Sequence, residues 1–145
     1  MRILDSSHNF LAIDRKYSNL ADSEIIILPA PYEHTVSYGG GAGKGPAAIL
    51  DASAYVEFFD DEFERELCFD YGIATAEPLN FAGKVDRDAL DIIRDSVTEL
   101  IEKDKFVVTL GGEHTISTAP IESHFKKYPD MSILHFDAHS YLRDT

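Results

Sequence analysis

Short apolar runs recur along the chain, and they constrain its fold more than any other feature. Residues 24–29 read EIIILP, residues 106–110 read FVVTL and residues 132–136 read SILHF. Runs that are apolar at consecutive positions and rich in β-branched residues are typical of parallel strands buried on both faces. A weaker strand candidate lies at residues 71–74, YGIA. The sequence therefore predicts a buried, mostly parallel sheet.

Helical patterns separate these runs. One set of apolar residues recurs at helical spacing and predicts a helix from about Asp86 to Lys103, with Asp86 as its N-cap; the set is Leu90, Ile93, Val97, Leu100 and Ile101. A second helix is expected after Gly45-Pro46, and a third from about Ile116 to Tyr128. Because strand and helix alternate, the predicted fold class is α/β.

Charge and composition exclude several kinds of partner. The 145 residues carry 26 Asp and Glu against 13 Lys and Arg, a formal net charge of -13. Such a surface disfavours nucleic-acid phosphates and anionic membranes, and it tolerates cationic ligands. The hydrophobic share of 44% is that of a globular protein, and the length suits a single domain over residues 1–145. We therefore expect neither a nucleic-acid nor a membrane partner.

The cysteine content and the amino-terminal sequence bear on the cellular compartment. A single cysteine, Cys68, cannot form an internal disulfide, and we interpret it as a packing residue. The start MRILDSSHNF lacks the apolar segment of a signal peptide, and every apolar run is too short to span a bilayer. These features predict a cytoplasmic protein.

Two motifs rich in metal-type ligands follow predicted strands. Residues 111–114, GGEH, come directly after FVVTL, and residues 137–139, DAH, come directly after SILHF. If those strands are neighbours, His114, Asp137 and His139 converge at the carboxyl edge of the sheet. One carboxylate with two imidazoles suits a borderline divalent ion. On spacing alone, a capping Asp137 with one structural and one solvated histidine is an equal alternative.

Three motifs in order resemble the ureohydrolase (arginase/agmatinase) family, specifically its agmatinase-like branch. They are PAPYEHTVSYGGGAGKGPAAILDAS near the front, then GGEHTIS, then HFDAH. The resemblance starts near Glu24 and corresponds to the amino-terminal half of the family's domain. It implies a three-layer fold, with a mostly parallel sheet flanked by helices. It also implies manganese-dependent hydrolysis of a guanidino substrate, such as agmatine, to an amine and urea. An unrelated small binding module would require all three matches to be coincidental.

The resemblance also implies roles for individual residues. His114 corresponds to a ligand of a first Mn²⁺, Asp137 to a carboxylate bridging two ions, and His139 to a ligand of the second. The family places a further aspartate two residues after this histidine, where the chain has Tyr141. A phenol with a pKa near 10 is a poor ligand for a hard divalent ion. The family's remaining metal aspartates and its catalytic histidine correspond to positions beyond residue 145, so we assign no catalytic residue.

These departures predict an incomplete metal site and an inactive chain when it is alone. A small guanidino substrate is expected only if the missing half completes the site. The alternative is a non-catalytic relative that acts by self-assembly or by association with a full-length ureohydrolase. An open sheet edge near residues 133–136 would favour a homo-oligomer. We interpret His135 as a hydrogen-bonded residue that is either structural or supports a metal ligand, and His34 as a solvated loop residue.

Overall fold

A computed structural model describes residues 1–139, and its centre is a three-stranded parallel sheet. Strand β1 is Ile25–Ala30, β2 is Ile73–Thr75 and β3 is Phe106–Gly111, in the order β2-β1-β3. The middle strand is buried along nearly its whole length, as its continuous apolar run predicted. The predicted strands at 24–29, 71–74 and 106–110 are confirmed.

Helices cover both faces of this sheet. In chain order they are α1 (Gly45–Ser53), α2 (Leu67–Tyr71), α3 (Asp86–Glu102) and α4 (Thr118–Lys127). Alternate residues of β1 face opposite ways, so Ile26 and Leu28 join a core cluster with α3 and α4. Ile27 packs with α1, α2 and Cys68 on the other face. The arrangement is the three-layer α/β fold that the sequence predicted, and Cys68 is the buried packing residue expected.

Helix α3 anchors one face of the sheet. It buries the apolar stripe that the spacing predicted, with Ala89 added and Leu90 only partly covered: Ala89, Ile93, Val97, Leu100 and Ile101. The expected N-cap was wrong by one residue, because the cap position is Val85 and Asp86 lies inside the helix. The main-chain N–H of Asp86 donates instead to the hydroxyl of Tyr32, at 2.8 Å. This bond joins the start of α3 to the loop after β1.

The segment after β3 turns directly into helix. A 3-10 helix, His114–Ser117, leads into α4. Helix α4 packs on α3, where Ser123 Oγ donates to the carbonyl oxygen of Arg94 at 2.9 Å. The helix predicted from about Ile116 to Tyr128 is therefore confirmed.

The predicted strand at residues 132–136 is wrong. The structure has no strand there, and the apolar side chains lie open, with Ile133 59%, Leu134 80% and Phe136 88% exposed. A strand needs a neighbour that pairs its backbone N–H and C=O groups. Among residues 1–139, none of the three strands pairs with residues 132–136, and β3 pairs only with β1. An apolar run without such a partner stays irregular.

None of the helices within residues 1–139 combines the length and the apolarity that crossing a bilayer requires.

Candidate metal centre

The turn that carries His114 lies against the loop after β1. A Cβ atom on Gly112 would lie 2.0 Å from the carbonyl oxygen of Tyr32, so only glycine permits this approach. The next residue, Glu113, donates its main-chain N–H to that same carbonyl at 2.9 Å. The main chains of these two segments are therefore in close contact at Gly112. It fixes where the 3-10 helix begins, and therefore where His114 stands.

Glu113 ties the two loops together through its side chain. Its Oε2 accepts the main-chain N–H groups of His34 at 2.7 Å and Thr35 at 2.6 Å, and its Oε1 accepts the Thr35 hydroxyl at 2.7 Å. The residue is only 6% exposed. Burial alone would raise the pKa of this carboxyl, but these hydrogen bonds outweigh it and hold the pKa below its ordinary value. Glu113 was not among the site residues predicted from the sequence.

A second carboxylate, Glu33, orders the glycine-rich loop. Its Oε1 accepts the main-chain N–H of Gly41 at 2.7 Å, and its Oε2 accepts that of Gly43 at 2.6 Å. The pKa of Glu33 is lowered, first by the bond from Gly43 and then by that from Gly41. These two bonds close residues 33–43 on themselves, and the bonds from His34 and Thr35 to Glu113 hold the start of this loop beside the turn that carries His114.

Asp137 approaches this turn from the segment after α4. Its Oδ2 lies 3.6 Å from His114 Nδ1 and 3.7 Å from His135 Nε2. Its Oδ1 accepts a hydrogen bond from the main-chain N–H of His139 at 2.8 Å. The same Oδ1 lies 3.0 Å from His139 Nδ1. The Asp137 side chain is 18% exposed, although the residue as a whole is exposed. Hydrogen bonding from the His139 main chain is the largest effect on the pKa of Asp137, which is lowered.

The predicted residues therefore come together, although the strand expected to position two of them is missing. His114 and Asp137 are direct neighbours, and His139 contacts the opposite oxygen of the same carboxylate. His135, interpreted from the sequence as structural or as support for a metal ligand, enters the cluster as a third potential donor. Its signal was the spacing His135-x-Asp137-x-His139, which is as regular as the D-x-H motif itself. Tyr141 lies outside the described residues.

The donors present fit a divalent metal ion. One ligand atom each from His114, His135 and Asp137 lie within 4.8 Å of one another. An ion with bonds of about 2.0–2.2 Å to nitrogen and oxygen separates its ligand atoms by roughly 3–4 Å, so small side-chain movements suffice. Two imidazoles and a carboxylate suit a borderline ion such as Co²⁺ or Zn²⁺. Which of the predicted residues act as ligands stays a prediction.

Comparisons with known proteins agree with this architecture. The sequence profile of the Arginase family matches residues 23–145. Agmatinase from Bacillus cereus is 36% identical over 145 residues, which cover 97% of this chain and 48% of that protein. N(1)-aminopropylagmatine ureohydrolase from Synechocystis is 35% identical and is covered over 43% of its length. The chain thus spans about half the length of the curated relatives it matches.

A solved structure shows the same fold. Proclavaminate amidino hydrolase from Streptomyces clavuligerus superposes with a TM-score of 0.72 at 22% identity, over 81% of this chain and 39% of that one. Likeness at this identity concerns the fold alone. Together with the profile match over most of the sequence, it leads to one conclusion: the chain belongs to the arginase family.

Proposed function

We propose that the chain carries part of the metal site of an agmatinase-type ureohydrolase, and that it is inactive on its own. Such an enzyme would hydrolyse a guanidino substrate to an amine and urea. The observation that supports this best is the approach of His114 to Asp137, at 3.6 Å. His114 begins the 3-10 helix after β3, whereas Asp137 lies in the irregular segment after α4, and both are metal-type ligands.

The named relatives support the substrate class. The Bacillus cereus relative is an agmatinase, and the Synechocystis relative acts on N(1)-aminopropylagmatine. Agmatine and its aminopropyl derivative, which these names contain, are guanidino compounds that also carry amino groups. The net charge of -13 suits a cationic substrate, because a negative surface raises the local concentration of cations.

The chain's residues would have separate roles in binding the ion and in positioning its ligands. His114 and Asp137 would hold the ion, with His139 orienting the carboxylate or serving as a further ligand. Glu113 would keep the turn that carries His114 in place through its bonds to Thr35. A bound Mn²⁺ would supply Lewis-acid activation for the attack of water. The water oxygen would bond to the guanidino carbon, the bond from that carbon to the alkyl nitrogen would break, and both water protons would leave with the amine as ammonium.

Inactivity of the 145-residue chain is proposed from its ligand set. The cluster in residues 1–139 offers a single carboxylate, Asp137, and hard Mn²⁺ prefers several oxygen ligands. Tyr141 stands where the family resemblance requires a second aspartate, and a neutral phenol is a weak substitute. A site with so few hard ligands should hold Mn²⁺ weakly.

Urea release tests this proposal. Purified chain, incubated with agmatine or N(1)-aminopropylagmatine and Mn²⁺, should release no more urea than a double variant, His114→Ala with Asp137→Ala. That variant is the matched control, because it removes the two central donors and leaves the buried core unchanged. Turnover well above it would contradict the proposed inactivity.

A second candidate function is association, with itself or with a full-length ureohydrolase. The observation that favours it is an apolar cavity of about 640 Å³ between β3, α4 and residues 133–135, beside exposed Leu134 and Phe136. Covering such a surface contributes roughly 25 cal/mol per Å², and the opposing charge repulsion is screened beyond about 8 Å at physiological salt. Light scattering should then report a homo-oligomer, and a stable monomer would contradict the self-assembly form of the proposal.

A further inference from the structure

We propose that helix α1 and the segment after it form a surface at which two copies of this chain pair, with their α1 helices antiparallel. This surface is distinct from the cavity beside α4, because it lies on the other side of the sheet. Helix α1 packs Leu50 against the core cluster around Ile27, whereas α4 places Ala119 in the cluster around Leu28.

The outer face of α1 is apolar and open. Ile49 is 45% exposed, and Tyr55 and Val56 are 89% and 52% exposed. Main-chain hydrogen bonds from Tyr55 to Ala52 and from Val56 to Ser53 carry the helical turn past the end of α1. The exposed residues therefore share one face of a helix, at spacings of 1, 3, 3 and 1; they are Ala48, Ile49, Ala52, Tyr55 and Val56. This stripe holds no charged residue, in a chain whose net charge is -13.

Opposite charges stand at the two ends of this face. Lys44 is exposed directly before α1, at the end where the helix macrodipole is positive. After the helix, residues 57–66 hold six carboxylates and one cation, Arg65, which pairs with Asp70 at 3.3 Å. A surface with one sign of charge at each end complements a second copy of itself when the two run antiparallel. Parallel helices would bring like charges together.

The order of small and large side chains indicates a register. With a two-fold axis at Ala52, Ala48 of one copy lies opposite Val56 of the other, and Lys44 lies opposite residues 60–61. Each contact is then made twice, as in every two-fold interface. Alanine at the crossing point allows the helix axes to approach to roughly 8–10 Å.

The extent of the surface bears on how tightly the copies pair. A stripe on one short helix is smaller than the roughly 800 Å² per partner of a standard interface. Phe59 and Phe63, which are also more than half exposed, extend the apolar area into the segment after the helix. We therefore expect a dimer that dissociates on dilution, with a dissociation constant on the order of micromolar.

Sedimentation equilibrium of the full 145-residue chain tests the apolar stripe. Ile49→Lys should raise the dissociation constant at least about tenfold, because it places a charge at the centre of the contact. Phe125→Lys is the matched control, since Phe125 is 55% exposed but lies on α4. It should leave the dissociation constant unchanged. Circular dichroism checks that both variants are folded.

Cross-linking tests the register. Ala52→Cys should form a disulfide between two copies under mild oxidation, because residues at the axis come within the Cα separation of about 4.4–6.8 Å that a disulfide spans. Ala47→Cys is the matched control: Ala47 is an exposed alanine of the same helix but lies outside the stripe. The natural Cys68 is buried and should add little background.

A charge exchange tests the antiparallel orientation. Lys44→Glu should weaken pairing at low salt, since it sets a carboxylate against the acidic segment of the second copy. Lys44→Glu combined with Asp61→Lys should restore it. A single variant that pairs like the unsubstituted chain would refute the antiparallel arrangement.

The outcomes separate this surface from the association proposed above. Equal association of Ile49→Lys and Phe125→Lys, or equal cross-linking of Ala52→Cys and Ala47→Cys, would refute the α1 interface. If Leu134→Asp abolishes association while Ile49→Lys does not, the α1 interface is wrong and self-assembly stands. A monomer at concentrations of tens of micromolar, on the order of ten times the expected dissociation constant, would refute both.

Discussion

Replacing Glu113 with alanine should loosen the junction between the turn that carries His114 and the loop after β1. The substitution removes the acceptor of two main-chain N–H groups, those of His34 and Thr35, and of the Thr35 hydroxyl. A buried donor left without an acceptor costs about 1–3 kcal/mol. His34 and Thr35 are themselves exposed, so water replaces part of the loss and the lower end of that range applies to each. We expect Glu113→Ala to lower the free energy of unfolding by about 2–3 kcal/mol.

Glutamine at the same position separates hydrogen bonding from charge. Its amide oxygen can accept both main-chain N–H groups, and its amide NH₂ can donate to the oxygen of the Thr35 hydroxyl. Glu113→Gln therefore preserves every contact that the carboxylate makes with these groups. It should cost less than about 1 kcal/mol, because neutral hydrogen bonds are weaker than charge-assisted ones but none is left unmade.

Urea unfolding measures both values by linear extrapolation of the free energy of unfolding. Glu102→Ala serves as the control, since Glu102 is an exposed glutamate at the end of α3, away from this junction. A loss below about 0.5 kcal/mol in Glu113→Ala, or an equal loss in Glu113→Gln, would refute the idea that these hydrogen bonds stabilise the junction.

Three further outcomes follow from the structure. Gly112→Ala should destabilise the chain by about 1–3 kcal/mol in urea unfolding, because its Cβ would meet a main-chain carbonyl oxygen at 2.0 Å; Gly83→Ala, which meets nothing within 4 Å and bears only the strain of φ +70°, should cost less. Glu33, with its pKa lowered from 4.5, should stabilise the glycine-rich loop fully above that pH and lose the effect as pH falls through its folded pKa; NMR titration of Glu33 at or above 4.5 would contradict this. Leu134→Asp should reduce self-association measured by light scattering without unfolding the chain, because Leu134 is 80% exposed; unchanged oligomer size would exclude this surface from the contact.

Local patterns in the sequence were enough to predict most of the fold. The run at 24–29 is apolar on consecutive positions because β1 is covered on both faces, and the stripe of α3 repeats at helical spacing because one face packs on the sheet. The run at 132–136 has the same composition as β1 but forms no strand. Its structure depends on a neighbouring strand, and composition carries no information about the neighbour.

The candidate site was predicted only in part, for a related reason. His114 and Asp137 follow recognisable motifs, so their residue types were informative. The role of Glu113 depends on a loop 78 residues away in sequence, at Thr35, and no local pattern reports that contact. His135 was not predicted to join the cluster because a histidine within an apolar run resembles a structural residue, although its Nε2 lies 3.7 Å from Asp137 Oδ2.

Calorimetric titration of the chain with Mn²⁺, compared with its Asp137→Ala variant, tests the proposed metal centre most directly. Asp137 contacts every histidine of the centre, through Oδ1 or Oδ2, so its removal should abolish binding. We expect the unsubstituted chain to bind Mn²⁺ weakly and the variant to show no heat of binding. Tight Mn²⁺ binding that Asp137→Ala leaves unchanged would contradict the assignment of the centre.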